Sequence, residues 1–139
     1  FFLKRKNVIF INDSKATSFE AAKYALSNTK NIYWILGGLP KENDKIILKE
    51  VKKNIVKCYL IGNNIDFFKG QIQNKINFTV SKNLKDTIIK ILKDIKLFNK
   101  KNNTILLSPA AASYDQFMNF EKRGDEFKKL CKFYAKKYL

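Results

Sequence analysis

Five short, nearly unbroken apolar runs alternate with segments of helical periodicity, and this alternation limits the possible folds more than any other feature. The runs span residues 7–12, 31–36, 57–61, 76–80 and 103–107. Continuous apolar runs of this length are typical of strands that are covered on both faces. The sequence therefore predicts an α/β fold in one domain over residues 1–139, a three-layer Rossmann-like arrangement with a mostly parallel sheet and helices on both faces.

Four further segments carry apolar residues at the spacing of an amphipathic helix. The first begins near Phe19, and the second is predicted from Ile47, Val51 and Ile55, which follow one another at intervals of four. The third spans 83–97, and the last runs from about 115 to the end, with Gly124 as a candidate for a bend. Residues 64–73 fit neither pattern well, and we expect no more than a short helical turn there.

Missing residue types exclude several classes of chemistry. The chain has no histidine, and its two cysteines, Cys58 and Cys131, lie far apart in sequence. Catalysis by histidine, Ser-His triads and most zinc sites are therefore excluded, and we expect no metal site and two reduced thiols in a cytoplasmic protein. No apolar run reaches the roughly 18 residues of a membrane span, so no membrane partner is expected. The chain starts without Met, which suggests a fragment of something longer.

A net charge of +16 raises the question of a nucleic-acid partner. Of the 28 basic residues, however, only Arg5 and Arg123 are arginine. Proteins that read nucleic acids use arginine for base edges and stacking, whereas these lysines are scattered along the whole chain. We therefore predict no specific binding of nucleic acid.

Polar turns follow three of the predicted strands, where open α/β sheets bind their ligands. They read "NDSKATS" at 12–18, "GGLPKEND" at 37–44 and "SPAAASYDQF" at 108–117. Each has a purely structural interpretation as a turn or helix cap. In the first turn, Ser14, Thr17 and Ser18 are good cap residues, and Glu20 would complete a capping box with Thr17.

The caps leave Lys15 unexplained, because a lysine before a helix meets the positive end of the helix dipole. An anion bound there would be held by Lys15 and by free N–H groups. The second turn adds Lys41, and the third offers Ser113 as the N-cap of the last helix, with Gln116 three residues later. The residues alone leave the choice between caps and an anion site open.

Three stretches together resemble the C-terminal domain of the Mur ligase family, in particular its D-glutamate-adding branch. They are "INDSKATSFEAAKYAL", "IYWILGGLPKEND" and "LLSPAAASYDQFMNFEKRGDEFK", and the resemblance covers essentially the whole chain. The departures are small: Ser18 stands where the family usually has Asn, Ala111 where Cys is common, and Tyr114 where Leu or Phe is common. The N-terminal and central domains of such a ligase are absent from this chain, and no G-x-x-x-x-G-K-[ST] phosphate loop occurs in it.

The resemblance implies an ATP-dependent ligase that adds D-glutamate to UDP-N-acetylmuramoyl-L-alanine in peptidoglycan precursor synthesis. ATP would phosphorylate the carboxylate of UDP-N-acetylmuramoyl-L-alanine, and the amine of D-glutamate would attack the acyl phosphate. The absent central domain would bind most of the ATP and the Mg²⁺. We therefore expect the isolated chain to be inactive and monomeric.

The resemblance also assigns roles to residues of this sequence. The D-glutamate carboxylates or the acyl phosphate would be contacted by Lys15, which would also be catalytic, and by Thr17, Lys41, Ser113, Tyr114 and Phe120. Tyr114 and Phe120 would act through their backbones. Asp13 would bind the ribose of ATP. Two alternatives stay open: a stand-alone, non-catalytic α/β module that binds anions or nucleic acid, and a sister ligase for another amino acid.

Overall fold

The computed structural model describes residues 2–139 and contains a six-stranded sheet between two layers of helices. The strands are β1 (Leu3–Arg5), β2 (Val8–Asn12), β3 (Ile32–Leu36), β4 (Ile55–Leu60), β5 (Phe78–Val80) and β6 (Asn103–Leu107). The helices are α1 (Phe19–Asn28), α2 (Ile65–Ile72), α3 (Leu84–Phe98) and α4 (Phe120–Tyr138). The predicted α/β, Rossmann-like architecture is confirmed.

The strand order is β1-β2-β6-β3-β4-β5, and every neighbouring pair except β1 and β2 is parallel. The antiparallel strand β1 was not predicted from the sequence. It has only three residues and joins β2 through a turn in which Lys6 has a φ of +52°. So short an edge strand carries too few apolar residues to be recognised by pattern.

The two faces of the sheet form separate apolar cores, because successive side chains of a strand point to opposite faces. On β3, Ile32, Trp34 and Leu36 pack with α1 and α2, whereas Tyr33 and Ile35 pack with α3 and α4. All five residues of this strand are buried. This two-sided cover explains why β3 and β6 appear in the sequence as unbroken apolar runs.

The chain leaves the neighbouring strands β2 and β6 towards opposite faces of the sheet. After β2 it enters α1, which packs on the Trp34 face, and after β6 it leads to α4, which packs on the Tyr33 face. A crevice therefore opens at the carboxyl ends of β2 and β6. Such a switch point is where open α/β sheets bind their ligands.

The helix predicted from Ile47, Val51 and Ile55 is wrong. Residues 40–51 form an irregular segment, a short 3-10 helix follows at Lys52–Asn54, and Ile55 opens β4. Ile46 and Leu48 are buried while Ile47 between them is 65% exposed, which is the alternation of an extended chain. Gln71 of α2 holds this segment, since its Oε1 accepts from the Ile46 N–H at 2.6 Å.

Two other helices differ from the prediction. Residues 65–72 form a full helix, α2, and not a short turn. The last helix begins at Phe120 and not near residue 115, and its N-cap is Asn119, whose side chain accepts from the Lys122 N–H. The helix continues through Gly124 without interruption. The missing Cβ of Gly124 instead makes room for Asn12, because a Cβ there would lie 2.7 Å from Asn12 Nδ2.

Candidate functional site

An open cavity of about 420 Å³ lies at the switch point between β2 and β6. Residues 12–15 of the turn after β2 form one side, and the start of α4 forms the other. Asp13, Lys15 and Phe120 all line it. The structure thus brings three of the predicted site residues to one cavity, although Phe120 lies more than 100 positions after the other two in sequence.

Asp13 is fixed to the end of β6 by two hydrogen bonds. Its N–H donates to the Leu107 carbonyl at 2.7 Å, and its Oδ2 accepts from Ser108 Oγ at 2.7 Å. Partial burial raises the pKa of Asp13 above its usual value, and the bond from Ser108 acts in the opposite direction. Asp13 Oδ1 has no hydrogen-bond partner among residues 2–139, so it can accept from a ligand hydroxyl.

The start of α1 is capped by one of the three residues that the sequence offered for this role. Ser18 is the N-cap, and its Oγ accepts from the Ala21 N–H at 3.3 Å, so the capping box of Thr17 and Glu20 is wrong. The N–H of Phe19 donates to Asp44 Oδ2 at 2.9 Å, across 25 positions of sequence. The carboxylate of Asp44 therefore already occupies part of the anion seat that was expected at this helix.

Lys15 and Thr17 are both exposed at this turn. The described residues form three ion pairs, Lys23 with Glu50, Lys57 with Asp94, and Lys128 with Asp125. Neither Lys15 nor Lys41 takes part in any of these pairs. Within residues 2–139, both ammonium groups thus remain available for an anionic ligand.

The second and third polar turns are joined by backbone hydrogen bonds. Leu39 and Ala112 exchange N–H to carbonyl bonds of 2.9 and 2.8 Å, and the Gly37 N–H donates to the Pro109 carbonyl at 3.0 Å. Glycine is required here, because Gly38 has a φ of +136° and a Cβ would lie 2.4 Å from the Ala112 carbonyl oxygen.

The three polar turns form the rim of the site. This pairing joins the two turns that carry Lys41, Ser113 and Tyr114. Lys41 follows Leu39 by two positions, and Ser113 and Tyr114 follow Ala112 directly. Ser113 is buried, whereas Tyr114 is 70% exposed and Lys41 is exposed. Thr17, Lys41, Ser113 and Tyr114 do not line the 420 Å³ cavity. Ser113 caps a local turn, with its carbonyl accepting from Gln116, and is not the N-cap of α4 as predicted.

Arg123 is the residue of the site that sequence reasoning missed. It is 1% exposed, and its guanidinium donates to Ser14 Oγ at 2.9 Å, to the Ser14 carbonyl at 2.6 Å and to the Ala111 carbonyl at 2.9 Å. Burial lowers the pKa of Arg123 to about 10, against the opposing effect of Asp115, so the group is charged at neutral pH. An arginine in a chain that otherwise uses lysine was the signal that could have revealed it.

Ser14 completes the network and is not a helix cap. Its Oγ accepts from Arg123 and donates to the Phe120 carbonyl at 2.7 Å. The carbonyl of Phe120 is therefore occupied, whereas its N–H, at the first position of α4, has no partner among residues 2–139. A backbone role for Phe120 would accordingly use its N–H.

Within residues 2–139, no group of three or more acidic or cysteine side chains lies close enough to hold a metal ion.

A second cavity of about 390 Å³, lined by 46–49, Lys52 and Lys75, contains none of the predicted site residues. The described residues also contain no helix with the length and apolar character that crossing a bilayer requires.

Comparison with curated proteins finds relatives along most of the chain. The identity is 41% over 133 residues with a protein of Wolbachia sp. subsp. Brugia malayi, 42% over 124 residues with one of Rhizobium meliloti, and 39% over 125 residues with one of Rickettsia conorii. The alignments cover 96%, 89% and 90% of this chain, but only 26%, 27% and 25% of the relatives. The chain thus spans about a quarter of the length of the curated relatives it matches. No protein-family model matches it.

The shared sequence shows that the chain is homologous to these three proteins over about a quarter of their length, and its α/β fold carries the sequence motifs around a switch-point cavity. The three relatives are of one kind. Each is a UDP-N-acetylmuramoylalanine–D-glutamate ligase, which is the branch that the sequence motifs indicated.

Proposed function

We propose that this chain is the C-terminal, D-glutamate-binding domain of a ligase that joins D-glutamate to UDP-N-acetylmuramoyl-L-alanine. The reaction would consume ATP and pass through an acyl phosphate. The observation that carries the proposal is the switch-point cavity, which Lys15 and Phe120 line from two separate motifs. A lysine and a helix N-terminus on either side of a cavity suit an anionic ligand.

The lysines of the rim would bind the negatively charged groups of the reactants. D-glutamate brings two carboxylates, and the acyl phosphate brings further negative charge. Lys15 and Lys41 would hold these groups in place while the neutral amine attacks, together with Thr17, Ser113 and the backbone of Tyr114. Preorganised cations contribute most when the site closes and excludes water.

Asp13 would hold the ribose of ATP. Asp13 lines the cavity, and its Oδ1 is free to accept a hydrogen bond from a ribose hydroxyl, which fits the proposed role. The cofactors ATP and Mg²⁺ would supply the phosphoryl group and the electrostatic stabilisation of its transfer. The residues that bind the triphosphate and the metal would lie outside this chain, which we expect to contribute the amino-acid side of the site.

Substitutions at the rim lysines test the proposal in the full-length ligase that carries this chain. A charge-assisted hydrogen bond to a carboxylate is worth roughly 1.5–3 kcal/mol, so Lys41→Ala should raise the KM for D-glutamate by about tenfold or more. The KM for ATP should change by less than about twofold. Lys85→Ala, which removes an exposed lysine of α3, is the matched control. Equal effects of Lys41→Ala on both substrates would contradict the assignment.

A second test uses the chain alone. With UDP-N-acetylmuramoyl-L-alanine, D-glutamate and Mg-ATP, we expect no phosphate release above background, because nothing in the sequence resembles a triphosphate-binding loop. Phosphate release that depends on D-glutamate would show that the catalytic groups have been placed in the wrong domain.

A further inference from the structure

Polar atoms join the turn after β2 to the first turn of α4. Arg123 lies there, and its three hydrogen bonds reach the turn after β2 at Ser14 and the turn after β6 at Ala111. Ser14 Oγ in turn donates a hydrogen bond to the Phe120 carbonyl at the start of α4. One buried side chain thus joins the turn after β6 and the start of α4 to the turn after β2, which lies 109 positions from Arg123 in sequence.

The directions of these hydrogen bonds leave little freedom. The guanidinium can only donate, so Ser14 Oγ must accept from it and must direct its own hydrogen to the Phe120 carbonyl. The guanidinium is planar with its N–H groups in a fixed fork, so the bonds to Ser14 and Ala111 also fix the distance between the two turns. Lysine has a single nitrogen and cannot make both contacts in this geometry.

No carboxylate forms an ion pair with Arg123 among residues 2–139. Its hydrogen bonds all go to two carbonyls and a hydroxyl, so its charge is held by backbone and hydroxyl dipoles. Burying an arginine in this way is costly, and a role in stability alone would be served as well by an apolar side chain. What an apolar residue cannot do is set the relative position of three polar turns.

We infer that Arg123 is a positioning residue, which acts through Ser14 and Ala111 to hold the Lys15 turn against the start of α4. Its effect on a reaction rests on the proposed function, because Lys15 and the Phe120 N–H are the groups that it would place. Asp13 is anchored separately to Leu107 and Ser108. Loss of Arg123 should therefore disturb the contacts to D-glutamate more than the contact to ATP.

Hydrogen exchange measured by mass spectrometry on the intact ligase tests the positioning directly. In Arg123→Lys, segments 13–16 and 119–124 should exchange about tenfold faster than in the wild type, whereas the β6 segment 103–107 should be unchanged. Lys129→Gln removes an exposed positive charge from the same helix and should leave all three segments unchanged. Unchanged exchange in both site segments, or equal acceleration in β6, would overturn the inference.

Kinetics supply the second readout. Arg123→Lys should raise the KM for D-glutamate about tenfold and change the KM for ATP by less than about twofold. If exchange accelerates as expected but both constants stay at the wild-type values, Arg123 does not position the groups that bind substrate. If the wild-type protein itself has no ligase activity, the proposed function fails, and the exchange result alone decides the positioning.

If Arg123→Lys does not fold, Ser14→Ala replaces it. This variant keeps the guanidinium and its bond to Ala111 but removes the hydroxyl that connects Arg123 with Phe120. It should accelerate exchange in the same two segments and raise the same KM. A Ser14→Ala protein with wild-type exchange and kinetics would overturn the inference.

Discussion

Replacing Asp44 should weaken α1 from a distance, although Asp44 is not part of that helix. Its carboxylate accepts from the Phe19 N–H at 2.9 Å through Oδ2, and from the Lys45 N–H at 3.0 Å through Oδ1. It thus satisfies one of the free N–H groups at the start of the helix and places a negative charge at the positive end of the dipole. Asp44→Ala removes both effects.

The size of the loss follows from these two contributions. Losing a cap acceptor costs about 1 kcal/mol, and losing a charge at a helix N-terminus costs roughly 0.3–1 kcal/mol. We expect Asp44→Ala to lower the free energy of unfolding by about 1.3–2 kcal/mol. With a urea m-value of about 2 kcal/mol/M, the midpoint of unfolding should fall by roughly 0.7–1 M. Asp44→Asn keeps one acceptor and should lose about half as much.

Urea unfolding of the chain, followed by circular dichroism, measures these shifts. Glu42→Ala is the control, because Glu42 is exposed two positions away in the same segment and carries the same charge. Its midpoint should stay within about 0.3 M of the wild type. An Asp44→Ala midpoint equal to that of Glu42→Ala would refute the distant cap, and equal losses for the Asn and Ala variants would show that charge alone is responsible.

Three further outcomes are expected. Gly37→Ala should prevent stable folding, since the φ is +133° and a Cβ would lie 2.1 Å from the Ile61 carbonyl oxygen. Gly70→Ala in α2 meets no atom within 4 Å and should stabilise the fold by about 0.5–1 kcal/mol, and thermal unfolding of both variants checks the contrast. The pKa of Asp13 is raised in the folded state, so its contribution to stability is present below its unfolded pKa of 3.8 and is lost as the pH rises through the folded value. Asp13→Asn should therefore raise the melting temperature at pH 7 but not at pH 3, and an equal gain at both would refute the linkage. Duplex DNA should bind only weakly and without sequence preference at physiological salt, because Arg123 is buried and scattered lysines give no base readout, and sub-micromolar selective binding in a titration would contradict this.

The sequence was sufficient for the parts of the fold that repeat a local pattern. The strands β2, β3 and β6 stand out because both of their faces are largely covered, which leaves few polar positions to break the apolar run. The positions of the polar turns follow from the same pattern, because they come directly after these strands. The sequence alone therefore predicts a candidate site at the carboxyl ends of these strands.

Sequence was not sufficient where distant residues decide the local structure. Ile47, Val51 and Ile55 have helical spacing, but Gln71 of α2 and Asp44 hold the segment extended against its own periodicity. The start of α4 was placed about five residues too early. The reason is that the carboxylate of Asp115 accepts from the Asn63 N–H at 3.0 Å and belongs to the contact between two turns. The burial of Arg123 in the site was not predicted, because nothing in the neighbouring sequence indicates it.

Two turns of the rim, those after β3 and β6, are joined to each other by main-chain atoms. Leu39 and Ala112 pair through N–H and carbonyl groups, and the Gly37 N–H donates to the Pro109 carbonyl. Arg123 donates to the carbonyl of Ala111. Main-chain groups are the same in every residue, so the bond from Arg123 to position 111 does not depend on which side chain stands there. The geometry of the site is thereby separated from the identity of most of its side chains. Evolution can reshape the lining of the pocket while its frame stays constant.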